Sequence, residues 1–359
     1  MGVLQGDDEV VVGGLQVIED IVRVGFVSNG PGVFVEPSPD GVEEAVWKEV
    51  DVGVDHAVVV PQRPREASRR GGVEGHNPNQ NVLELAFRGP NTAYSEMSQT
   101  EREPIIRFEN VYKAFGSKVI YSGLNLEVYP GETLTIIGGS GVGKSVMIKM
   151  LIGLLRVDRG RIWFRDQEIT ALSERQLQKV RQRIAMLFQG AALFDSNNVG
   201  ENVAYGLHEH FRKEMSEADI QKRVAWALGL VGLPGIEEMQ PADLSGGMKK
   251  RVGLARAIAV QPDVVLYDEP TTGLDPINTT RINHMICGLR RTLGITSLVV
   301  THDMNSAYTI SDRIAMVYHG RIIASGTPEQ IQASKNKYLS DFVRGHAPVN
   351  EDVDTLLTT

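Results

Sequence analysis

Gly138-Gly139-Ser140-Gly141-Val142-Gly143-Lys144-Ser145 lies between two apolar segments of different character. Leu134-Thr135-Ile136-Ile137 before it is a short run with β-branched residues, as a buried strand has. Val146 to Ile152 after it reads as a helix. Strand, glycine loop and helix are the context in which G-x-x-x-x-G-K-[ST] is a phosphate-binding loop. The glycines let consecutive backbone N–H groups curl around phosphate oxygens with no side chain in the way. The helix N-terminus adds its partial positive charge to the same place. Lys144 is placed to reach β- and γ-phosphates, and the Ser145 hydroxyl to ligate Mg²⁺. The loop therefore binds a nucleoside triphosphate, though it does not say to what end.

Composition narrows the purpose. With 359 residues, the chain is long enough for one large or two ordinary domains. Its 42% hydrophobic and 23% charged residues are those of a soluble globular protein. A formal net charge of −8 argues against general nucleic-acid binding, which needs a basic field. One cysteine, Cys287, excludes an internal disulfide framework and fits a reducing compartment; beside Ile282, Met285, Ile286 and Leu289 it reads as a buried structural thiol. No apolar stretch approaches the roughly 18 residues that span a bilayer. The N-terminus shows no basic segment followed by a hydrophobic core, so no signal peptide is expected.

Outward from the loop, the pattern is regular from Ile105 on. Ile105 to Val111 and Leu124 to Val128 alternate as half-buried antiparallel strands do, with Tyr112 to Gly116 read as a turn between them. Downstream, apolar strands at 162–164, 184–188, 264–268, 296–300 and 314–317 alternate with helices, the mark of an α/β domain around a mostly parallel sheet. A helical insert occupies about 190–258. Residues 1–96 differ: they are rich in Val, Gly, Asp and Glu, contain a single lysine, Lys48, and are broken by prolines. Val10-Val11-Val12 and Val58-Val59-Val60 could be strands. The segment reads as a small β-rich regulatory domain, as a poorly ordered extension, or as residues upstream of a native start at Met97.

Four further segments complete a constellation: Leu244-Ser245-Gly246-Gly247, Asp268-Glu269 at the tip of an apolar strand, Gly273-Leu274-Asp275, and His302 after another strand. In this order with the Walker A loop, they resemble the ATP-binding-cassette (ABC) ATPases over about residues 104–335. The fold class implied is α/β: a P-loop NTPase domain with an antiparallel β subdomain and an inserted α-helical subdomain, leaving 336–359 as a C-terminal tail. Cofactor-binding residues are then Phe115 and Gly138 to Ser145, with ATP and Mg²⁺ as the groups held. Asp268 ends a buried strand, so its carboxylate meets the Mg²⁺ shell, where a hard cation prefers oxygen. Resemblance makes Glu269 the general base that polarises the attacking water. It makes Gln189 the Q-loop glutamine at Mg²⁺ and His302 the switch histidine at the γ-phosphate. Phe115 matches the position whose aromatic face stacks on adenine, with Tyr112 as the alternative.

Ser245, Gly246 and Gly247 stand at a helix start, a good anion site. In the family this loop caps ATP bound to a second copy, with Asp275 at the seam. The chain carries one cassette, so the resemblance implies a head-to-tail homodimer. Met248, where glutamine is commoner, and Met186 to Tyr205 resemble the MlaF-like branch associated with Mce-domain proteins. This branch implies phospholipid transport across the Gram-negative envelope, an MlaE-like integral permease, indirectly a periplasmic Mce-domain carrier, and a peripheral place on the cytoplasmic face of the inner membrane. Another transport cargo, such as amino acids or lipoproteins, is the alternative. Ala191 to Phe194 read as an apolar patch that receives the permease. His208-Glu209-His210 reads as a solvated turn and not a metal pair, and Lys249-Lys250-Arg251 as a basic helix face near γ-phosphate or a partner.

Overall fold

The computed structural model describes residues 103–345 together with two short upstream strands. The chain divides into two units, Met1–Glu84 and Leu85–Thr359. In the first, β1 (Arg23–Phe26) and β2 (Val33–Glu36) pair antiparallel. The valine runs at 10–12 and 58–60 lie outside the described residues.

The second unit opens with β3 (Ile106–Phe115) and β4 (Lys118–Val128). These strands are longer than their alternation suggests. Tyr112 to Phe115, read from sequence as a turn, continue β3, and the chain reverses at Gly116 and Ser117. The reason is three register shifts against β4, between Phe108 and Val111, Val111 and Tyr112, and Lys113 and Ala114, with Asn110 in the left-handed region at φ 52°. Such shifts break the period of two along the strand pair. With β6 (Arg159–Phe164) and β7 (Gln167–Glu168), these strands form a four-stranded antiparallel sheet in the order β4-β3-β6-β7.

The six-stranded sheet has the order β12-β11-β5-β10-β9-β8. Its strands are β5 (Thr133–Ile137), β8 (Ile184–Leu187), β9 (Val264–Asp268), β10 (Thr296–Val300), β11 (Arg313–Tyr318) and β12 (Arg321–Gly326). All pair parallel except the edge strand β12. β5, β9 and β10 are buried at every residue, which explains their unbroken apolar text. Their parallel register has one consequence for function: the chain leaves β5, β8, β9 and β10 at the same edge of the sheet.

Helices fill the connections. α1 (Lys144–Leu151) follows the glycine loop, and α2 (Glu174–Arg181) starts at a Ser173–Gln176 capping box. Between β8 and β9 lie α3 (Val199–Phe211), α4 (Glu217–Leu230) and α5 (Gly246–Ala259), the helical insert. Asn198, Ser216 and Ser245 cap their N-termini. α6 (Pro276–Leu293) is capped by Asp275, with proline at its first position and Gly294 ending it at φ 64°. α7 (Met304–Ile310), α8 (Pro328–Gln332) and α9 (Lys337–Val343) complete the unit. α9 lies beyond residue 335 and still packs: Leu339 is fully buried and the Tyr338 ring stacks on Tyr318 at 4.7 Å.

One core joins the antiparallel sheet and α1 to the central strands, through Phe108, Leu124, Met147, Leu151 and Leu298. A second, including Leu207, Val224, Leu254, Tyr267 and Ile286, joins the helical insert to β9 and α6. Cys287 is only half-buried at the rim of that core, its Sγ 3.8 Å from the Thr309 carbonyl, so it is a structural thiol but less enclosed than its stripe suggests. His208 and His210 lie in the last turn of α3, not in a turn between elements. His208 Nδ1 is 3.9 Å from Glu217, and among the described residues no group of three His, Cys, Asp or Glu side chains could hold a metal.

Candidate nucleotide site

Four strand ends converge. From β5 the chain enters the loop 138–143. Gly138, at φ 152°, passes so close to the Val317 carbonyl that a Cβ would lie 2.6 Å from its oxygen. Gly143, at φ 106°, would bring a Cβ to 2.4 Å from Ile120 while its carbonyl accepts from Tyr121. Glycine is required at both positions. From Gly139 to Val146 the backbone N–H groups donate to no backbone or side-chain acceptor among the described residues. A row of free donors at a helix start suits phosphate oxygens.

Lys144 is 8% exposed, and its ammonium donates to the carbonyls of Gly138 at 2.8 Å and Gly139 at 3.0 Å. Burial pulls its pKa below the ordinary lysine value, against the upward pull of Glu269 and Asp268. Ser145 donates through Oγ to Asp268 Oδ1 at 2.7 Å. A hydroxyl and a 7%-exposed carboxylate meeting at the loop are oxygen donors of the kind Mg²⁺ takes when phosphates complete its shell.

Glu269 follows β9. Its Oε2 accepts from Thr272 Oγ1 at 3.2 Å, Thr301 Oγ1 at 3.3 Å and the His302 N–H at 3.4 Å, and lies 2.9 Å from His302 Nδ1. Its Oε1 is 4.0 Å from Lys144 Nζ. The backbone of Glu269 is left-handed, φ 50°, and precedes Pro270. A non-glycine residue held this way costs about 1–3 kcal/mol, and the following proline disfavours helical conformations further.

What holds that backbone was not legible as such from sequence. Lys250, expected on a basic helix face near γ-phosphate or a partner, turns to the backbone of its own chain: it is 6% exposed and donates to the carbonyls of Thr272 at 2.6 Å, Pro270 at 2.8 Å and Glu269 at 3.4 Å. A signal existed, since Gly247, Lys250, Leu254 and Ala257 fall on one buried stripe of α5. Lys249 is half-buried, and Arg251 caps the carbonyls of Val231 and Gly232.

Gln189 stands two residues past the end of β8, exposed, and its side chain makes no hydrogen bond among the described residues. The next residues are unusual: Ala191 and Ala192 are both left-handed, φ 62° and 49°, and Arg256 donates to their carbonyls at 2.7 and 2.8 Å. The apolar patch read at 191–194 is narrower than expected. Ala191 is buried and Leu193 packs on the helical core, leaving Phe194 exposed, stacked on exposed Tyr205 at 4.7 Å with the Arg256 guanidinium above its ring. Asn202, polar text inside the stretch that carries the branch likeness, is fully buried and pins this loop: its amide donates to the carbonyls of Phe194, Asn197 and Asn198 and accepts from the Phe194 N–H.

Phe115 ends β3 and is 46% exposed, whereas Tyr112 is half-buried under the Arg159 guanidinium at 4.3 Å. Ser245 caps α5, accepting from Met248 N–H at 3.2 Å; Ser245 and Gly246 are exposed and Gly247 is buried. A Cβ at Gly247 would meet the Asn278 side chain at 2.8 Å, and Asn278 is bonded to both carboxylate oxygens of Asp275. The structure thus brings the glycine loop, Asp268, Glu269 and His302 together. Ser245 to Gly247 and Asp275 form a second group, joined to each other through Asn278.

A glycine loop, a strand-end acid pair and a histidine on this sheet define a P-loop ATPase. The chain belongs to the ABC transporter family: the family profile matches residues 121–272, and the chain is 40% identical over 243 residues to the intermembrane phospholipid transport system ATP-binding protein MlaF of Haemophilus influenzae, covering 68% of this chain and 91% of that protein. It is an ATP-binding subunit and ATPase close to MlaF. It is also 42% identical over 236 residues to the methionine import ATP-binding protein MetN of Rhizobium johnstonii, covering 66% and 64% of the two chains. Among solved structures, the dimeric post-hydrolysis state of the cassette MJ0796 bound to ADP and Pi matches with 30% identity and a TM-score of 0.58, covering 62% of this chain and 98% of that one. Among the described residues no helix is long and apolar enough to cross a membrane.

Proposed function

We propose that the chain is the energising subunit of a phospholipid transporter, working as a homodimer on the cytoplasmic face of the inner membrane beneath an MlaE-like permease that communicates with an Mce-domain carrier. The likeness to MlaF over nearly all of that protein's length supports this cargo over the methionine of MetN.

In this reading the N–H groups of Gly139 to Ser145 bind the triphosphate, and Lys144 leaves its loop carbonyls for phosphate oxygens. Mg²⁺, when bound, neutralises phosphate charge. Ser145 and Asp268 hold it, and Gln189 joins them from the end of β8. Glu269 polarises the attacking water, and His302, already 2.9 Å from it, keeps that carboxylate oriented and faces the γ-phosphate. That pair, set beside Lys144, is the observation that carries the chemistry. Phe115 stacks on adenine: it is 46% exposed, with the Lys113 ammonium 5.1 Å from its ring centre, whereas Tyr112 is half-buried beneath the Arg159 guanidinium. Ser245, Gly246, Gly247 and Asp275 close on nucleotide held by the second copy, which the exposure of Ser245 and Gly246 at the start of α5 supports. Residues 1–96 are an extension dispensable for this activity, and a chain starting at Met97 should bind ATP as the full chain does.

The test is reconstitution with the cognate permease in vesicles. ATP-dependent transfer of labelled phospholipid is expected, and transfer of methionine without lipid would replace this cargo by the alternative.

A further inference from the structure

α5 begins at Ser245 and, within two turns, sends Lys250 into the loop that follows β9. The ammonium has three N–H donors and meets the carbonyls of Glu269, Pro270 and Thr272. No carboxylate lies within ion-pair distance of it among the described residues, so the buried charge is satisfied by backbone oxygens alone. Such a charge is costly to bury unless every donor is used. The segment it grips is the strained one: Glu269 is left-handed and precedes proline. On its other side the Glu269 N–H donates to the Val300 carbonyl at 2.9 Å. The backbone of Glu269 is thus held from β10 through its N–H and from α5 through its carbonyl. A left-handed glutamate freed on one side relaxes toward the extended region, and its carboxylate then leaves Thr301 and His302.

We infer that Lys250 is a positioning residue for the Glu269 carboxylate, coupling the helix that begins at Ser245-Gly246-Gly247 to the hydrolytic group of the same chain. The inference rests on the proposed role of Glu269 as the base. It gives the helix a mechanical purpose: a shift of its first turn on meeting nucleotide is delivered to the Glu269–Thr272 backbone through the Lys250 ammonium, which lies 2.6–3.4 Å from three of its carbonyls, without passing through the P-loop of its own chain.

The test uses the full chain and Mg-ATP. Lys250→Met keeps the apolar stem and removes the donors. Single-turnover hydrolysis should fall roughly 10- to 100-fold, while affinity for a fluorescent ATP analogue stays within about twofold, because the group that moves acts on the water and not on ground-state binding. Lys250→Arg, which keeps a charged donor, should recover most of the rate. In the Glu269→Gln background, Lys250→Met should add almost nothing, since a residue acting only through the carboxylate has nothing left to position. Unchanged turnover in Lys250→Met, or a full multiplicative loss on top of Glu269→Gln, overturns the inference. Should Lys250→Met not fold, Lys250→Gln carries the same cycle with the same two outcomes. Near-normal turnover in Glu269→Gln alone would instead remove the base itself, and the positioning role with it.

Discussion

His302 Nδ1 lies 2.9 Å from Glu269 Oε2, although the two residues leave different strands, β10 and β9, and are 33 positions apart. The parallel pairing of Val300 with Asp268 puts the residues that follow them side by side. Replacing Glu269 with Gln keeps the shape of this contact and removes the negative charge. Hydrolysis should slow about 10²- to 10⁴-fold with nucleotide binding retained, the size of a general-base contribution, and an ATP-bound dimer should accumulate on gel filtration. Lys144→Ala should act differently, weakening binding itself in a direct titration.

The depressed pKa of Lys144 gives a second expectation. Burial favours the neutral amine, so the unfolded chain holds this proton more tightly than the folded one. Folded-state stability from this group is therefore lowest below the folded pKa and recovers as pH rises toward the ordinary lysine value of 10.5. Triphosphate charge at the loop reverses the depression, so binding should take up protons in that window. Calorimetry in two buffers of different ionisation enthalpy should show greater uptake at about pH 9 than at about pH 7. Identical heats in both buffers at both pH values would show that Lys144 stays fully charged throughout.

Asn202 yields a stability test away from the chemistry. Its side chain satisfies three carbonyls and one N–H in a fully buried place. Asn202→Ala should cost about 2–4 kcal/mol, read from the urea midpoint, because those groups lose their partner without gaining water. Asn202→Asp should cost more at neutral pH, since it turns an acceptor toward carbonyls that need a donor. Equal midpoints for all three proteins would mean the loop 194–198 is held by other contacts.

The parts of the site legible in the sequence are those where chemistry fixes both residue type and strand context. Gly138 to Ser145, Asp268-Glu269 and His302 each follow an apolar run, and a parallel sheet leaves such runs at one edge. Residues whose work is to hold a backbone were harder to see. Lys250 and Asn202 are polar text inside helices, and nothing local says that each faces carbonyls of a distant loop; only the stripe position of Lys250 hinted at burial. Tyr112 to Phe115 were read as a turn because register shifts at Asn110 and Ala114 erase the alternation that marks β3. The left-handed pair Ala191-Ala192 has no sequence signal, since alanine seldom takes that conformation; the Arg256 hydrogen bonds that hold it arise only in the fold.

Coupling to the permease should run through Phe194. Its ring is exposed and packed on Tyr205, and Arg256, whose guanidinium lies over the Phe194 ring, holds the strained carbonyls just after Gln189. An exposed aromatic pair on a charged protein suits a protein partner. Its link to Ala191 and Ala192 joins that surface to the strand end from which Gln189 projects. Phe194→Asp puts a carboxylate where an apolar contact is needed, without emptying the core formed by Ala191 and Leu193. ATP affinity of the isolated subunit should change less than about twofold, while co-purification with the permease from membranes should fall by roughly tenfold or more, as the loss of a central aromatic anchor does. A thermal melt within a few degrees of the parent would show that the fold survives. Full co-purification together with normal lipid transfer would place the docking surface elsewhere on the subunit.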